Sequence, residues 1–365
     1  MIKNIPQMEP WFGDEERMAI DKYMAAGGWI TEFKETQAFE KALTSFTGAK
    51  HAIVVNNGTV SLTAAALALG IGAGDEVIVP NYTMIATPNS IKLLGAIPVF
   101  VDVEPTRLCI DLALVERAIT PKTKAIMLVS ANGRSPLEGI EAFEALSERT
   151  GIPIIEDAAQ SLGSYYPDGR HIGLAGAVGS FSFSAPKIIS TGQGGALITN
   201  DDELASTIRK IKDFGRSGGG NDVHDTFGIN LKFTDLQAIL GLEQMKKLPF
   251  RINRKKEIYN LYKKLLKDCA QVKFFDQRIE NTAPWFIDVV VNDRDQLQSF
   301  LKEEGIGTRT MYPPINKQLA YSVQADCPVS NMVGEMGLWL PSAAQLSDID
   351  ITYICDKITL FYNQA

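Results

Sequence analysis

The chain has 365 residues, a formal net charge of −7 and 45% hydrophobic residues, an ordinary composition for a globular protein large enough for two domains. The acidic balance argues against a nucleic-acid partner. No apolar stretch reaches the roughly 20 residues of a membrane span, and the N-terminus lacks the apolar core of a signal peptide, so we expect a cytoplasmic protein without a membrane partner. Four scattered cysteines and three histidines make a disulfide or a metal centre unexpected.

The first half of the chain alternates between strand and helix patterns. Two amphipathic helices are predicted first, over residues 15–24 and 35–46. Strands are then predicted at 51–55, 76–79, 99–101, 125–129 and 152–156, with helices between them at 60–69, 86–94, 112–119 and 138–150. Repeated β-α-β units whose strands are apolar on both faces predict an α/β fold with a mostly parallel sheet flanked by helices.

The pattern changes after residue 200. A charged helix is predicted at 202–214, followed by a glycine-rich, mobile loop at 216–225. Two long helices, 236–248 and 251–266, are predicted to be separated at Pro249. The remaining predicted elements are a strand at 285–291, a helix at 294–304, a loop at 312–318 and a last helix at 348–362. We therefore predict a large domain over residues 1–248 and a smaller α+β domain over residues 249–365.

One segment, residues 180–196, suggests a specific chemistry. It places Lys187 between a run of serines and a glycine cluster, after a strand-like alternation that ends at Pro186. An amine held in such a closely packed place suits Schiff-base formation. Earlier in the chain, an apolar strand ends in Asp157. A lysine and a carboxylate at the ends of two buried strands suggest pyridoxal 5′-phosphate (PLP), with the lysine on its aldehyde and the aspartate on its pyridinium nitrogen.

A series of motifs in a fixed order supports this reading. They are Gly27-Gly28-Trp29-Ile30, Asn57-Gly58-Thr59, residues 74–80, Glu156-Asp157-Ala158-Ala159-Gln160, residues 180–187, residues 191–195 and residues 228–235. Together they resemble the DegT/DnrJ/EryC1/StrS sugar aminotransferases, which are fold-type I PLP transferases, over almost the whole length. The segments at 57–59 and 191–195 are most similar to the GDP-perosamine synthase-like members.

The resemblance implies roles for several residues at the cofactor. Lys187 would form the Schiff base and, once released, carry a proton, while Asp157 would bind the pyridine nitrogen, although an aspartate here could also cap a helix. Gln160 would lie beside the ring, near its 3′ oxygen. The phosphate would be bound by a further group: Gly58, Thr59 and Ser182, with Asn230 reaching it from the neighbouring subunit. The last role implies a homodimer with shared active sites.

Two departures from the family pattern concern the cofactor ring and the substrate. Relatives often carry an aromatic residue where this chain has Met84, whose thioether would cover the same face of the ring. Relatives often read Val-His-Leu-Tyr-Gly where this chain has Val129-Ser130-Ala131-Asn132-Gly133-Arg134, close to the substrate in the family. The change suggests an altered pocket, in which Arg134 would bind a phosphate or carboxylate; a surface arginine is the alternative.

The remaining candidate substrate residues are Trp29, Arg309, Tyr312 and Lys317. Trp29 occupies a position that lines the substrate site in the family. Arg309 and Lys317 would attract an anionic substrate, unless their segment is an ordinary exposed loop.

Three functions remain open from the sequence. The first is transfer of an amino group, with glutamate as donor, to a keto-deoxy nucleotide-sugar resembling GDP-4-keto-6-deoxymannose, for surface polysaccharide biosynthesis. The second keeps the chemistry but uses a smaller phosphorylated or acidic ketone. The third, from another class, is a non-catalytic PLP-binding sensor, which the presence of Lys187 and Asp157 disfavours.

Overall fold

The computed structural model describes residues 4–218 and 222–364. Its larger sheet has seven strands in the order β1-β7-β6-β5-β4-β2-β3. The strands are β1 His51–Val55, β2 Glu76–Pro80, β3 Ile97–Val101, β4 Thr123–Val129, β5 Ile154–Asp157, β6 Val178–Ser182 and β7 Gly195–Thr199. Strand β7 pairs antiparallel with both of its neighbours, β6 and β1, and the other pairs are parallel. The predicted mostly parallel sheet is confirmed.

Helices cover both faces of this sheet. They are α1 Asp14–Ala25, α2 Lys34–Thr47, α3 Gly58–Ala68, α4 Ala86–Lys92, α5 Leu112–Ala118, α6 Ile140–Thr150 and α7 Asp202–Lys212. One apolar layer joins β4 and β5 to α2 and α6 through residues such as Ile126, Phe39 and Phe143. The opposite layer includes Met127 and Ile155. Neighbouring residues of one strand thus enter different layers, which explains why the strands are apolar throughout.

A second, smaller sheet lies in the C-terminal part of the chain. Its order is β10-β11-β9-β8, and all of its pairs are antiparallel. The elements are α8 Asp235–Leu265, β8 Val272–Phe274, β9 Ile287–Val291, α9 Arg294–Glu303, β10 Arg309–Thr310, α10 Pro328–Met336, β11 Gly337–Leu340 and α11 Asp348–Gln364. Its separate core confirms the expected α+β region. The sequence patterns did not predict β7, β8, β10, α10 or β11.

The prediction of two helices separated at Pro249 is wrong. Helix α8 runs without interruption from Asp235 to Leu265 with the proline inside it. A proline removes one backbone donor and crowds the preceding turn, but buried contacts on both sides, such as Leu248 and Ile258, keep the helix continuous. The proposed domain boundary between residues 248 and 249 therefore falls within a helix. Part of the predicted glycine-rich loop, residues 219–221, lies outside the described residues.

Candidate active site

A cavity of about 680 Å³ opens where β5 and β6 end. This is the edge of a parallel sheet at which ligands usually bind. The cavity collects the following predicted site residues: Gly58, Thr59, Met84, Asp157, Gln160, Ser182, Lys187, Arg309 and Tyr312. They come from five separate parts of the chain, so the fold creates the site by joining the sheet edge to the small C-terminal sheet.

Asp157 is the last residue of β5 and is 6% exposed. Its Oδ2 accepts a 2.7 Å hydrogen bond from Thr87 Oγ1, and its Oδ1 accepts a 3.2 Å bond from the backbone N–H of Ala159. Burial raises the pKa of this carboxyl, whereas the two donors and the nearby Lys187 oppose that shift. A carboxylate held this way is ready to pair with a buried cation.

Lys187 lies in the cavity wall at the turn that follows β6. Burial lowers the pKa of its amine to about 8, against the attraction of Asp157 and in the same direction as the repulsion from Arg309. The Nζ atom lies 4.1 Å from the centre of the Trp285 ring. An amine with a pKa near neutrality can both accept and donate a proton under working conditions.

The start of α3 has the geometry that binds anions in other proteins. The side chain of Asn57 caps this helix by accepting a 3.0 Å bond from Val60 N–H, and Gly58 and Thr59 form its first turn, whose backbone donors have no acceptor within the helix. Gly58 approaches β6 so closely that a Cβ atom on it would lie 2.8 Å from Ser182 Cβ. The position therefore requires glycine, and the hydroxyl of Ser182 lies beside the helix N-terminus.

Gln160 is held by the turn that follows β4. Its Oε1 accepts a 2.6 Å bond from the backbone N–H of Asn132. Asn132 has a left-handed φ of 55°, which asparagine tolerates, and its side chain donates to Phe286 O at 2.8 Å and to Asp288 Oδ1 at 2.9 Å. Gln160 is therefore fixed from the small sheet.

Ser130 and Arg134 do not reach the cavity, so the prediction that they contact substrate is wrong. Arg134 is 1% exposed and its guanidinium bonds to both carboxylate oxygens of Asp288, at 3.0 and 2.8 Å. A further bond to the carbonyl of Arg107 at 2.7 Å uses another of its donors. Ser130 is fully buried, and its carbonyl accepts from Ser161.

Three other predicted residues lie outside the cavity of the single chain. Trp29 is 66% exposed, and its carbonyl accepts a 2.6 Å bond from Tyr23 OH. Asn230 is exposed, with its Oδ1 accepting from Lys232 N–H at 3.2 Å. Lys317 is exposed at the end of a short 3-10 turn. Their predicted roles stay predictions.

Two residues of the site were missed from the sequence. Thr87 lies on α4 and binds Asp157, which is distant in the chain. Trp285 precedes β9, lines the cavity and contacts Lys187. The sequence could have indicated Thr87 only through its hydroxyl, three residues after Met84. It could have indicated Trp285 only as a large aromatic residue close to the start of a predicted strand.

The cavity suits PLP in each of its parts. The N-terminus of α3 and the close approach of Gly58 to Ser182 fit a phosphate. Lys187 offers an amine to an aldehyde, and Asp157 offers a carboxylate to a pyridinium. This set of groups, at the carboxyl edge of such a sheet, defines a PLP-dependent transferase of fold type I.

Comparison with known proteins gives the family. The profile of the DegT/DnrJ/EryC1/StrS aminotransferase family matches residues 12–359. The chain belongs to this family, and it is a PLP-dependent aminotransferase.

Three relatives show how far the similarity extends. The GDP-perosamine synthase of Escherichia coli O157:H7 is 34% identical over 366 aligned residues, covering 99% of this chain and 100% of the relative. A DegT DnrJ EryC1 StrS aminotransferase from Brucella abortus is 32% identical, with a TM-score of 0.88 and 95% of each chain covered. The aminotransferase TlmJ from Streptoalloteichus hindustanus is 29% identical, with a TM-score of 0.93, 99% of this chain and 100% of TlmJ covered.

Among the described residues, no helix is both long enough and apolar enough to cross a membrane.

Proposed function

We propose that this chain transfers the amino group of L-glutamate to the keto carbon of a nucleotide-linked deoxysugar resembling GDP-4-keto-6-deoxymannose. The observation that carries the proposal is the end-to-end similarity to a GDP-perosamine synthase, at 34% identity over 99% of this chain and 100% of the relative. The cavity of about 680 Å³ has room beyond a cofactor for a second ligand. An amino sugar of this kind would serve surface polysaccharide biosynthesis.

The site residues divide into three groups by position. Gly58, Thr59 and Ser182 lie at or beside the start of α3 and would bind the cofactor phosphate. Asp157 would hold the pyridine nitrogen, with Gln160 beside the ring. Met84, 44% exposed and in the cavity wall, would cover one face of it.

When bound, PLP supplies an electron sink that makes a proton on the donor's α carbon removable. Lys187 would take that proton at Nζ in the first half-reaction and would give a proton to the acceptor's carbon in the second. A pKa of about 8 suits both tasks. Asp157 would keep the ring nitrogen protonated. Arg309 and Tyr312, which line the outer part of the cavity, would orient the substrate's anionic and hydroxyl groups.

Incubation of the PLP-loaded protein with L-glutamate tests the donor, and mass spectrometry of products from a panel of nucleotide-linked ketosugars tests the acceptor. The expected result is one equivalent of 2-oxoglutarate per site, followed by an aminated GDP-sugar. The proposal fails if glutamate leaves the cofactor absorbance unchanged or if small phosphorylated ketones are the only acceptors used. The smaller-ketone alternative rested on the altered 130–134 segment, and burial of Ser130 and Arg134 removes that support.

We further propose a homodimer in which Asn230 and Trp29 complete the partner's site. Both residues are exposed in the single chain, and the neighbouring Phe227 is 69% exposed, which an apolar interface would cover. Mixing Lys187→Ala with Asn230→Ala subunits tests this arrangement. If sites are shared, one site of each mixed dimer is intact and activity returns; if each site is built from one chain, the mixture stays inactive.

A further inference from the structure

The indole of Trp285 contacts the lysine-bearing turn in two ways. Its Nε1–H donates a 2.8 Å hydrogen bond to the carbonyl of Pro186, the residue directly before Lys187. Its ring centre lies 4.1 Å from Lys187 Nζ. The aromatic face is the negative side of the ring and attracts an ammonium group, with greater strength where water is excluded. Trp285 is 4% exposed, so most of its ring is removed from bulk water where it meets the lysine.

Trp285 is itself held firmly by its surroundings. Its ring stacks on Phe286 with centroids 3.9 Å apart, and it meets Trp339 edge-on at 5.7 Å. Its backbone carbonyl accepts a 2.6 Å bond from the buried Nζ of Lys255 on α8, which also donates to the carbonyl of Ser342. These contacts fix the indole from both the helix and the small sheet, so its position does not depend on Lys187.

We propose that Trp285 holds the free amine of Lys187 in place as an ammonium ion, and that Lys255 positions Trp285 for this task. The inference rests on the proposed role of Lys187 as the residue that binds the cofactor. A lysine that has left the cofactor must keep its proton within reach of the reacting carbon. The four-carbon stem of lysine is flexible, and the ring face supplies a defined place for its charged end.

The charged and titratable groups around Lys187 are known for each neighbouring element. Asp157 at the end of β5 favours the ammonium form, and Arg309 on β10 disfavours it. Tyr312 shares the cavity, while Glu9 of the N-terminal segment and Arg251 and Lys255 of α8 line a small cavity with the other side of the lysine turn. Two of the three basic neighbours, Arg251 and Lys255, donate to backbone carbonyl oxygens, and burial lowers the pKa of Lys255 to about 7. Because tryptophan is uncharged, Trp285→Leu leaves the number of charged groups around Lys187 unchanged.

The experiment measures the protonation of Lys187 in the cofactor-free protein. Cyanate carbamylates neutral amines, and peptide mass spectrometry gives the rate at Lys187 as a function of pH. In Trp285→Leu the midpoint of this profile should fall by about 0.4 to 1.5 pH units, the equivalent of a cation–π contact. In Trp285→Phe, which keeps a ring face, it should move less. Carbamylation of the exposed Lys124 in the same sample is the internal reference.

Lys255→Met tests the positioning role. It should shift the Lys187 midpoint in the wild-type background but not in Trp285→Leu, because the effect passes through the indole. Equal midpoints in wild-type, Trp285→Phe and Trp285→Leu proteins would overturn the inference, as would a Lys255→Met shift that is the same in both backgrounds. Thermal unfolding of each variant confirms that the comparison is made on folded protein.

The proposed role of Lys187 is tested separately. Borohydride reduction of the PLP-loaded wild-type protein should attach the cofactor to Lys187, as seen in the peptide mass. If the cofactor is attached elsewhere, the role of Lys187 fails. If it is attached to Lys187 and the Trp285 variants leave the carbamylation profile unchanged, only the present inference fails.

Discussion

Thr87 Oγ1 donates a 2.7 Å hydrogen bond to Oδ2 of Asp157, and both residues are buried. Because its one hydroxyl proton goes to Asp157, Thr87 Oγ1 accepts a 2.8 Å bond from Thr83 Oγ1, so the carboxylate is connected to a short hydroxyl chain. The bond lowers the pKa of Asp157 against the effect of burial. A threonine on α4 therefore helps to keep this carboxylate ionised.

Removing that hydroxyl should weaken the enzyme. Thr87→Val raises the pKa of Asp157, so the acidic limb of the kcat/KM profile should move to higher pH. Activity at neutral pH should fall about 10- to 100-fold, since a hydrogen bond to a charged group contributes ~1.5–3 kcal/mol. Thr87→Ser keeps the hydroxyl and should behave like wild type. Steady-state kinetics across pH checks the prediction, and identical profiles for the valine and serine variants would contradict it.

The close approach of Gly58 to Ser182 leads to a second prediction. In Gly58→Ala the new methyl group would lie 2.8 Å from Ser182 Cβ, so the start of α3 must move. We expect PLP affinity to fall by about 10-fold or more, because overpacking of this kind costs ~1–3 kcal/mol. PLP titration followed by protein fluorescence measures it.

A matched control for Gly58 is available in the chain. At Gly72 no atom lies within 4 Å of an added Cβ, and Gly72→Ala should leave PLP affinity unchanged. Equal PLP affinities for the Gly58 and Gly72 variants would show that the close approach at Gly58 does not determine cofactor affinity.

The sequence predicted the parts of the fold that depend on local pattern. Continuous apolar runs identified β1, β2, β4 and β5, since strands buried on both faces have few other compositions. The expectation that Lys187 and Asp157 share a site also followed, because Asp157 ends one buried strand and Lys187 lies after the end of another. Gly58 and Ser182 meet in the cavity as the motifs implied.

The predictions that failed concern residues whose environment is set by contacts between distant segments. Arg134 was assigned to substrate because an arginine in a pocket segment suggests an anion, but its partner Asp288 lies 154 residues away and only the folded chain brings them together. Trp285 and Thr87 were missed for the same reason. Pro249 was predicted to end a helix because proline disfavours helix interiors, but the packing of α8 overrides this local preference.

The buried Arg134–Asp288 pair gives a stability prediction. Arg134→Met leaves Asp288 as an uncompensated charge at 3% exposure, and breaking such a pair costs about 3–5 kcal/mol. Replacing both residues, as Arg134→Met with Asp288→Leu, should recover much of this loss. Chemical denaturation measures the free energy of unfolding for each variant.

The exposed pair of Arg149 and Glu116 provides the comparison. Its side chains are 63% and 46% exposed, so Glu116→Ala should cost no more than about 1 kcal/mol. A loss at Arg134 as small as the one at Glu116 would mean that the buried pair contributes little to the fold.

His171 gives a pH prediction. Burial lowers its pKa to about 4, and Nε2 accepts a 2.9 Å bond from Gly163 N–H, as a neutral ring requires. A histidine whose pKa is depressed by folding stabilises the protein fully above its unfolded pKa of about 6.5. That contribution is lost as pH falls from about 6.5 towards 4, at ~1.4 kcal/mol per unit.

His171→Gln should therefore have a shallower loss of unfolding free energy between pH 6.5 and 4 than wild type. Urea titrations at several pH values check this slope. The variant His224→Gln, at an exposed position, should keep the wild-type slope. If His171→Gln and wild type lose stability in parallel, the imidazole does not contribute to the acid sensitivity.

The unbroken course of α8 has a mechanical consequence. Its first half bonds the lysine turn, with Gln244 Oε1 accepting from Ser190 N–H at 3.3 Å, and Arg251 beyond the proline donates to Ile188 O at 2.9 Å. Its second half carries Lys255 and the core of the small sheet. One continuous helix thus contacts both the lysine turn and the small sheet, so the distance between these two sides of the site is set by the backbone of α8.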